Sequence, residues 1–384
     1  MKALLVVPRL PGTGHTGDRL RAELHLEALS GAGFDTVLVG GATGGGANGR
    51  PSRAEVRPVR QTLLAKGAAL LPAFFSGAPL QSALFAGPWR EALAAAGPVD
   101  LTVLVLPQRL GRHVAGALPS SPLVVDFVDA LGAAARQAAA SDPSFLRRFY
   151  WLLDAPRLER AERESGRTAR VLFATTPFDA GKLPEGTVAV PNGVPIGPPP
   201  PGEREAVVAF TGRLRYRPNE IAVRLLVSEI WPVVRASCPG ARLALGGADA
   251  PPGLAGLHGR DGIEVTSPVA DMPAFLRRAR VAAVPVALGT GTPNKLFEAF
   301  EAGCAVVALE EAAARAETGG ERPPVRSVRT SEDFAAALVA LLSDPSAAAA
   351  EGFRGRAWVE AHADRRHALA ALSAGYRRAL GEAA

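Results

Sequence analysis

Short β-branched and leucine runs alternate with helix-like segments along most of this chain, and that alternation limits the fold more than any other feature. Ala3–Val7 and Thr36–Val39 read as buried strands. They bracket Asp18–Leu29, where Leu20, Leu24, Leu26 and Leu29 recur at roughly helical spacing. Asp18 opens that helix, and Gly31 and Gly33 close it. Leu101–Leu106, Leu123–Phe127, Val171–Ala174 and Val188–Val190 continue the strand series. Strands that alternate with helices build a parallel sheet covered on both faces.

The pattern breaks at Pro191-Asn-Gly-Val-Pro-Ile-Gly-Pro-Pro-Pro-Pro201-Gly, which is punctuated too heavily for a regular element and reads as a semi-rigid linker. A second series follows. Strands are predicted at Ala206–Phe210, Arg242–Leu245, Ile263–Val265, Val281–Val284 and Ala305–Ala308, with helices near Asn219–Ala236, Met272–Ala279 and Pro293–Ala302. From about Ser331 the chain is alanine-rich helix. The expected organisation is a Rossmann-like domain over 1–190, a linker over 191–204, a second Rossmann-like domain over 205–364, and a C-terminal helix over 365–384 that packs back toward the first domain. The fold class is α/β, with two doubly wound domains facing each other across a cleft. Such folds bind ligands beyond the carboxyl ends of their strands.

Composition supports this and narrows the function. A length of 384 residues suits about two domains, and 48% hydrophobic with 21% charged residues excludes a fibre, a coiled coil or a disordered chain. Two cysteines, Cys238 and Cys304, cannot build a disulfide framework, so a reducing compartment is expected. Pro8 and Pro11 end the first apolar run before a secretory leader could form. Pro72, Gly77 and Pro79 interrupt the apolar stretch Gln61–Ala86, which is too short and broken to span a membrane. The net charge of +6 favours acidic partners, namely a membrane surface, a nucleic acid or a phosphorylated small molecule. Only four lysines and four asparagines occur, and Asn294 and Lys295 are adjacent.

Three segments carry candidate chemistry. Between the first strand and helix stands Gly12-Thr-Gly14-His-Thr16-Gly17, whose backbone amides and following helix N-terminus suit a phosphate. The absence of an acidic residue after the second strand disfavours a dinucleotide. A second strand end, Phe210-Thr-Gly212-Arg213, puts a fixed cation where a diphosphate would need one. The third, from Val281 to Ala308, runs strand, Gly/Thr loop, helix, Gly303 and strand. Lys295 falls in the first turn of that helix, where a cation opposes the macrodipole unless an anion sits there. Glu298 follows one turn later on the same face. A phosphate-binding cation beside a carboxylate for sugar hydroxyls suits a nucleotide-sugar.

Leu288–Ala308 resembles the nucleotide-sugar signature of the family-four glycosyltransferases of GT-B architecture, a Lys-x-x-Glu-Ala-(Met/Phe)-x-x-Gly-x-x-Val-Val run. Phe210–Asn219, Trp231-Pro232, Leu243–Gly247, Val265–Asp271, Pro191–Val194 and Gly17–Leu20 also have counterparts, and Ser121–Asp129 resembles an exopolysaccharide- and exosortase-associated branch. The likeness covers most of residues 1–310, with Pro51–Trp89 a poor match. It implies a retaining glycosyltransferase that moves a sugar from a UDP-, GDP- or dTDP-sugar to a glycan, lipid-linked or small-molecule acceptor. Arg213 and Lys295 would neutralise the departing diphosphate, and Glu298 would take the ribose hydroxyls. The loop at Val269 would hold the base, and Gly14, Thr16 and Gly17 would lie over the phosphates. Gly212, Gly291, Thr292 and Asn294 complete the implied donor contacts. Asp129, or else Asp126, would face the sugar. The family's second glutamate, eight positions before Glu298, is replaced by Thr290, which can hydrogen-bond a hydroxyl but brings no charge. No cofactor and no metal is implied, in keeping with the lack of an Asp-x-Asp motif at a strand end.

The remaining features stay open between readings. Phe145–Arg163 mixes arginine with Phe149, Tyr150 and Trp151, as an interfacial membrane helix would. Glu159, Glu162 and Glu164 favour an amphipathic domain helix with a solvated face. Leu63–Phe85 is either core or a dock for a lipid-linked acceptor. His15 could contact donor or acceptor, His113 is either structural or cleft-facing, and His25 reads as a surface residue. The rival functions are a GT-B epimerase or phosphorylase and a degenerate nucleotide-sugar-binding scaffold. A nucleic-acid partner is not expected, and the expected site of action is the cytoplasm, either free or in peripheral contact with the inner face of the membrane.

Overall fold

β1 (Lys2–Val7) sends Ala3, Leu5 and Val7 into one apolar core and Leu4 and Val6 into another, all fully buried. Alternate side chains of a strand point to opposite faces, so a strand apolar at every position must be covered on both. The computed structural model, which describes residues 1–11, 17–42, 54–199, 202, 204–287, 294–318 and 320–382, resolves this pattern into two units. One comprises Met1–Asn192 with Ala368–Ala384, and the other Gly193–His367.

The N-terminal unit holds β1, β2 (Asp35–Ala42), β3 (Ala54–Arg60), β4 (Leu101–Val105), β5 (Leu123–Asp126), β6 (Val171–Ala174) and β7 (Thr187–Ala189). Its sheet runs β3-β2-β1-β4-β5-β6-β7, and every pairing is parallel. β3 falls in the stretch least like the family. It is an edge strand whose only buried residue is Val59, so it lacks the apolar run that marks the others. The helix Gly17–Gly31 supplies Ala22, Leu24, Ala28 and Leu29 to one core. The end of the C-terminal helix Arg365–Leu380 adds Ala368, Leu372, Tyr376 and Ala379 to that core.

The C-terminal unit holds β8 (Glu205–Arg213), β9 (Arg242–Ala248), β10 (Ile263–Thr266), β11 (Ala279–Val284), β12 (Ala305–Leu309) and β13 (Arg326–Val328), in the order β10-β9-β8-β11-β12-β13, again all parallel. The helix Arg217–Ser237 contains a wide π turn at Leu226–Ile230, just ahead of Pro232, which cannot donate to the preceding turn. The linker enters this unit pinned to the chain before the last helix. Val194 donates to Ala363 O at 2.9 Å and accepts from Arg365 N at 3.0 Å.

The expected α/β class with two doubly wound sheets is what the chain adopts. In each sheet the strand order reverses at one point, between β1 and β4 and between β8 and β11. A crevice opens at such a switch point, outside the carboxyl ends of the strands.

Candidate active site

In the C-terminal unit the switch point is bounded by the end of β8 and by the helix Asn294–Glu301, which follows β11. Two glycines let the strand ends approach. Gly212 and Gly247 pair across β8 and β9 at φ +147° and +151°, and a Cβ on Gly247 would lie 1.7 Å from Gly212 O. Only glycine fits so close a backbone contact.

Gly212 also clears space for a side-chain pair. A Cβ there would meet Asn219 Nδ2 at 2.7 Å and Lys295 Nζ at 3.2 Å. Lys295 Nζ donates to Asn219 Oδ1 at 2.7 Å and lies 4.3 Å from the centroid of the buried Phe210 ring. Asn219 Nδ2 in turn donates to the backbone oxygen of Arg213 at 2.9 Å. One amide thus ties the lysine of the helix to the backbone of the candidate arginine. Burial pushes the Lys295 amine down to about 7, against the attraction of Glu298 one turn on. Solvation lost at such a site is recovered when an anion arrives. Arg213 pairs with Asp249 at 2.6 Å, and both side chains are about half exposed, so the pair is weak and readily exchanged.

Gly212, Arg213, Lys295, Asn294 and Glu298 therefore gather around the switch point of one sheet. Val269 follows β10 at the same carboxyl edge and is half-buried against the unit's core. Gly14, Thr16, Thr290, Gly291 and Thr292 lie outside the described residues, as does His15. Gly17 and Asp129 belong to the N-terminal unit. Gly17 begins the helix after β1 and is exposed, beside an Asp18 carboxylate that accepts from Arg9 at 3.1 Å.

Asp126 and Asp129 differ in burial. Asp126 is fully buried, and its Oδ2 accepts from Arg21 Nε at 2.6 Å and His25 Nε2 at 2.7 Å. Its Oδ1 accepts from Val128 N at 2.8 Å. Burial alone would raise its pKa, but the Arg21 guanidinium and then His25 hold it well below the usual carboxylate range. Asp126 is thus closed off as a structural anion. Asp129 is half-buried at the loop beyond β5. Burial first, then the neighbouring Asp179 carboxylate, raise it to about 7, with Arg109 opposing. It can therefore carry either a proton or a charge near neutrality.

His25 is corrected as well. It is fully buried, with Nδ1 2.7 Å from Tyr376 Oη, and burial lowers its pKa. The geometry fits a neutral ring that donates from Nε2 to Asp126 and accepts the tyrosine proton at Nδ1. His113 bonds the backbone oxygen of Ser82 at 2.8 Å, a structural contact. Glu162, expected on a solvated face, is buried, where it accepts from Gly132 N and Gln108. Asn219 is the residue that site reasoning missed. Its signal was scarcity, since it is one of only four asparagines. Among the described residues no group of three or more His, Cys, Asp or Glu side chains is placed to hold a metal ion.

Residues 205–344 match the family model described as glycosyl transferases group 1. No curated protein matches the chain. Solved structures align over nearly the whole chain at low identity. HepE (Alr3699) of Anabaena, crystallised with UDP and glucose, shows 16% identity and a TM-score of 0.66 over 97% of this chain and 98% of its own. A TarM mutant of S. aureus, in complex with Fondaparinux, alpha-GlcNAc-glycerol and UDP, shows 9% identity and a TM-score of 0.68 over 100% of both chains. WaaG, a glycosyltransferase involved in lipopolysaccharide biosynthesis, shows 15% identity and a TM-score of 0.68 over 98% of this chain and 99% of its own. With the two parallel sheets and the site at the end of β8, these matches make residues 205–344 a glycosyl transferases group 1 domain, set in a chain of GT-B fold.

Proposed function

We propose that this protein transfers a sugar, with retention of anomeric configuration, from a nucleotide-diphosphate-sugar to a glycan, lipid-linked or small-molecule acceptor. The donor is a UDP-, GDP- or dTDP-sugar, and the work is done in the cytoplasm at the inner face of the membrane. The observation that carries this reading is the Lys295 amine, braced by Asn219 and Phe210 at the end of β8, with Glu298 one turn along the helix.

Cleavage of the sugar–phosphate bond leaves oxocarbenium character on the sugar and a growing negative charge on the diphosphate. Pre-positioned cations lower the energy of that state. In this reading Lys295 takes up a proton as the diphosphate approaches, and Arg213 exchanges its exposed Asp249 partner for phosphate oxygens. Glu298 accepts from the ribose hydroxyls, and Val269 borders the base. Asp129 faces the transferred sugar. Positive side chains do this work without a divalent metal.

The test is nucleoside diphosphate release from a panel of UDP-, GDP- and dTDP-sugars, with cell-envelope acceptors and a chelator present. Turnover in chelator, lost in Lys295→Ala, is the expected result. Full turnover by Lys295→Ala, or a strict demand for divalent metal, would overturn the reading. Donor binding without turnover would instead identify a binding-only protein, the outcome that Thr290 in place of a glutamate makes worth testing. The anomeric configuration of the product, read by NMR, tests retention.

A further inference from the structure

The largest departure from ordinary surface chemistry lies in the N-terminal unit, far in sequence from the donor site. Ten of the eighteen large apolar side chains exposed among the described residues sit on two segments, the helix Leu63–Ser76 and the start of the helix Phe145–Thr168. Leu64 is 86% exposed, Leu71 69%, Phe75 80%, Phe145 78% and Leu146 78%. Of the fourteen residues in the first helix only Ala73 is buried. This helix is nevertheless well made. The Thr62 side chain caps its first turn by accepting from Ala65 N, and Gly77 closes it in the left-handed conformation.

The two segments meet. Arg157 of the second helix lies 5.0 Å from the Phe74 ring, and Arg160 donates to Gly77 O at 2.8 Å, covering the last carbonyls of the first helix. Leu80 N donates to the buried Asp154 carboxylate, which anchors the connection below. A well-capped, firmly attached helix that offers leucine and phenylalanine to solvent is built to be covered.

The charges say by what. Residues 63–76 and 145–153 contain Lys66, Arg147 and Arg148 and no acidic residue. Arg147 pairs with Asp142 at 3.2 Å at the rim, which leaves Lys66 and Arg148 as cations of these two segments with no ion pair among the described residues. Leucine and phenylalanine set among cations match an anionic bilayer surface, where acyl chains take the apolar groups and headgroups take the charge. A two-fold contact between copies would instead set each cation near its own counterpart, in a chain of net charge +6. Among the described residues no single helix is long and apolar enough to cross a membrane, so the contact is interfacial.

We infer that the helix Leu63–Ser76 and the first two turns of Phe145–Thr168 form one docking face, seated in the headgroup layer of an anionic bilayer. The inference sharpens the membrane contact of the proposed function and is independent of the transfer chemistry. Vesicle flotation tests it, with phosphatidylcholine alone and phosphatidylcholine mixed with phosphatidylglycerol. The wild-type protein should float with the anionic vesicles, less so at high salt, and weakly with the neutral ones. The double variant Leu71→Glu/Phe75→Glu should bind at least about tenfold more weakly, and Lys66→Glu about fivefold. Its melting temperature should be unchanged, since both sites are exposed. That double variant should also release nucleoside diphosphate as the wild type does, and Lys295→Ala should float normally, so a failure of docking is separable from a failure of transfer. Absence of wild-type flotation, or undiminished binding by the double variant, would overturn the proposal. A dimer in solution that the double variant splits, with vesicle binding untouched, would also overturn it and assign the face to a second copy.

Discussion

Each unit sets a cation beside the carboxyl edge of a parallel sheet, Arg21 fully buried and Lys295 partly so, and the two are treated in opposite ways. In the N-terminal unit Arg21 is met by a full carboxylate, Asp126, with His25 and Tyr376 closing the rest of the network. In the C-terminal unit the Lys295 amine is met directly by a neutral amide and an aromatic face, with the Glu298 carboxylate attracting it only from one helix turn away. The first arrangement meets its charge with a buried carboxylate, although Arg21 Nη2 has no hydrogen-bond partner, and it fixes structure. The second keeps its lysine deprotonation-prone and leaves the balance to an incoming anion. The same element, a cation near a strand end, serves packing in one place and binding in the other according to its partner.

Substitutions at three positions test that contrast, and the largest effect belongs to the buried network. Asp126→Ala strips a buried guanidinium of its counter-charge and should lower stability by about 3–5 kcal/mol in denaturant unfolding. A loss below about 1 kcal/mol would mean that the network is not closed. Lys295→Met is the mirror case. Removing a part-buried amine whose direct partner is a neutral amide, with Glu298 attracting it from one turn away, should leave stability within about 1 kcal/mol of wild type. Turnover should nevertheless fall by about 10²–10³-fold. Equal losses of stability in the two variants would erase the distinction.

The two regions also differed in how far their sequence could be read. In the C-terminal unit residues 207–211 of β8, together with β11 and β12, are largely apolar runs buried at nearly every position, so composition alone marks these three strands. Lys295 and Glu298 were legible because both lie on one helix turn. Asn219 was not, because its role comes from a contact with Lys295 across 76 positions. His25 misled for the same reason, since its partners lie 101 and 351 residues away. β3, with Pro58 and charged residues along an exposed edge, carries no apolar pattern to detect. The apolar helix Leu63–Ser76 shows the opposite limit, since composition gives its hydrophobicity and only the tertiary structure tells core from surface.

Asn219→Ala should fall between the first two variants. The amide bridges Lys295 and the Arg213 backbone, so its loss frees the amine from its brace and removes a hydrogen bond to a chargeable group. Such bonds contribute about 1.5–3 kcal/mol, which predicts nucleoside diphosphate binding weakened about 10- to 100-fold by calorimetry. Asn219→Asp should restore the charged amine but weaken the anion's hold, so it should bind no better than the alanine variant. Diphosphate binding tighter than wild type in Asn219→Asp would show that the neutral partner is not what favours an anion.

The change per pH unit is the smallest of these effects and the most specific, because it isolates the amine. Burial sets Lys295 near 7 in the free protein, while a bound diphosphate favours its charged form. Below about pH 7 the amine is charged in both states, and affinity owes nothing to proton uptake. Above it, each binding event must take up a proton, so affinity should fall by up to about tenfold per pH unit until the ordinary lysine value is reached. The same shift acts on stability with a fixed sign. In that window the unfolded chain binds a proton that the folded chain does not, so this group's contribution to stability rises with pH. Calorimetry in buffers of different ionisation enthalpy counts the protons directly. Wild type should take up close to one at pH 8, and Lys295→Met none. Equal uptake in both proteins would place the titrating group elsewhere and remove Lys295 from the centre of the site.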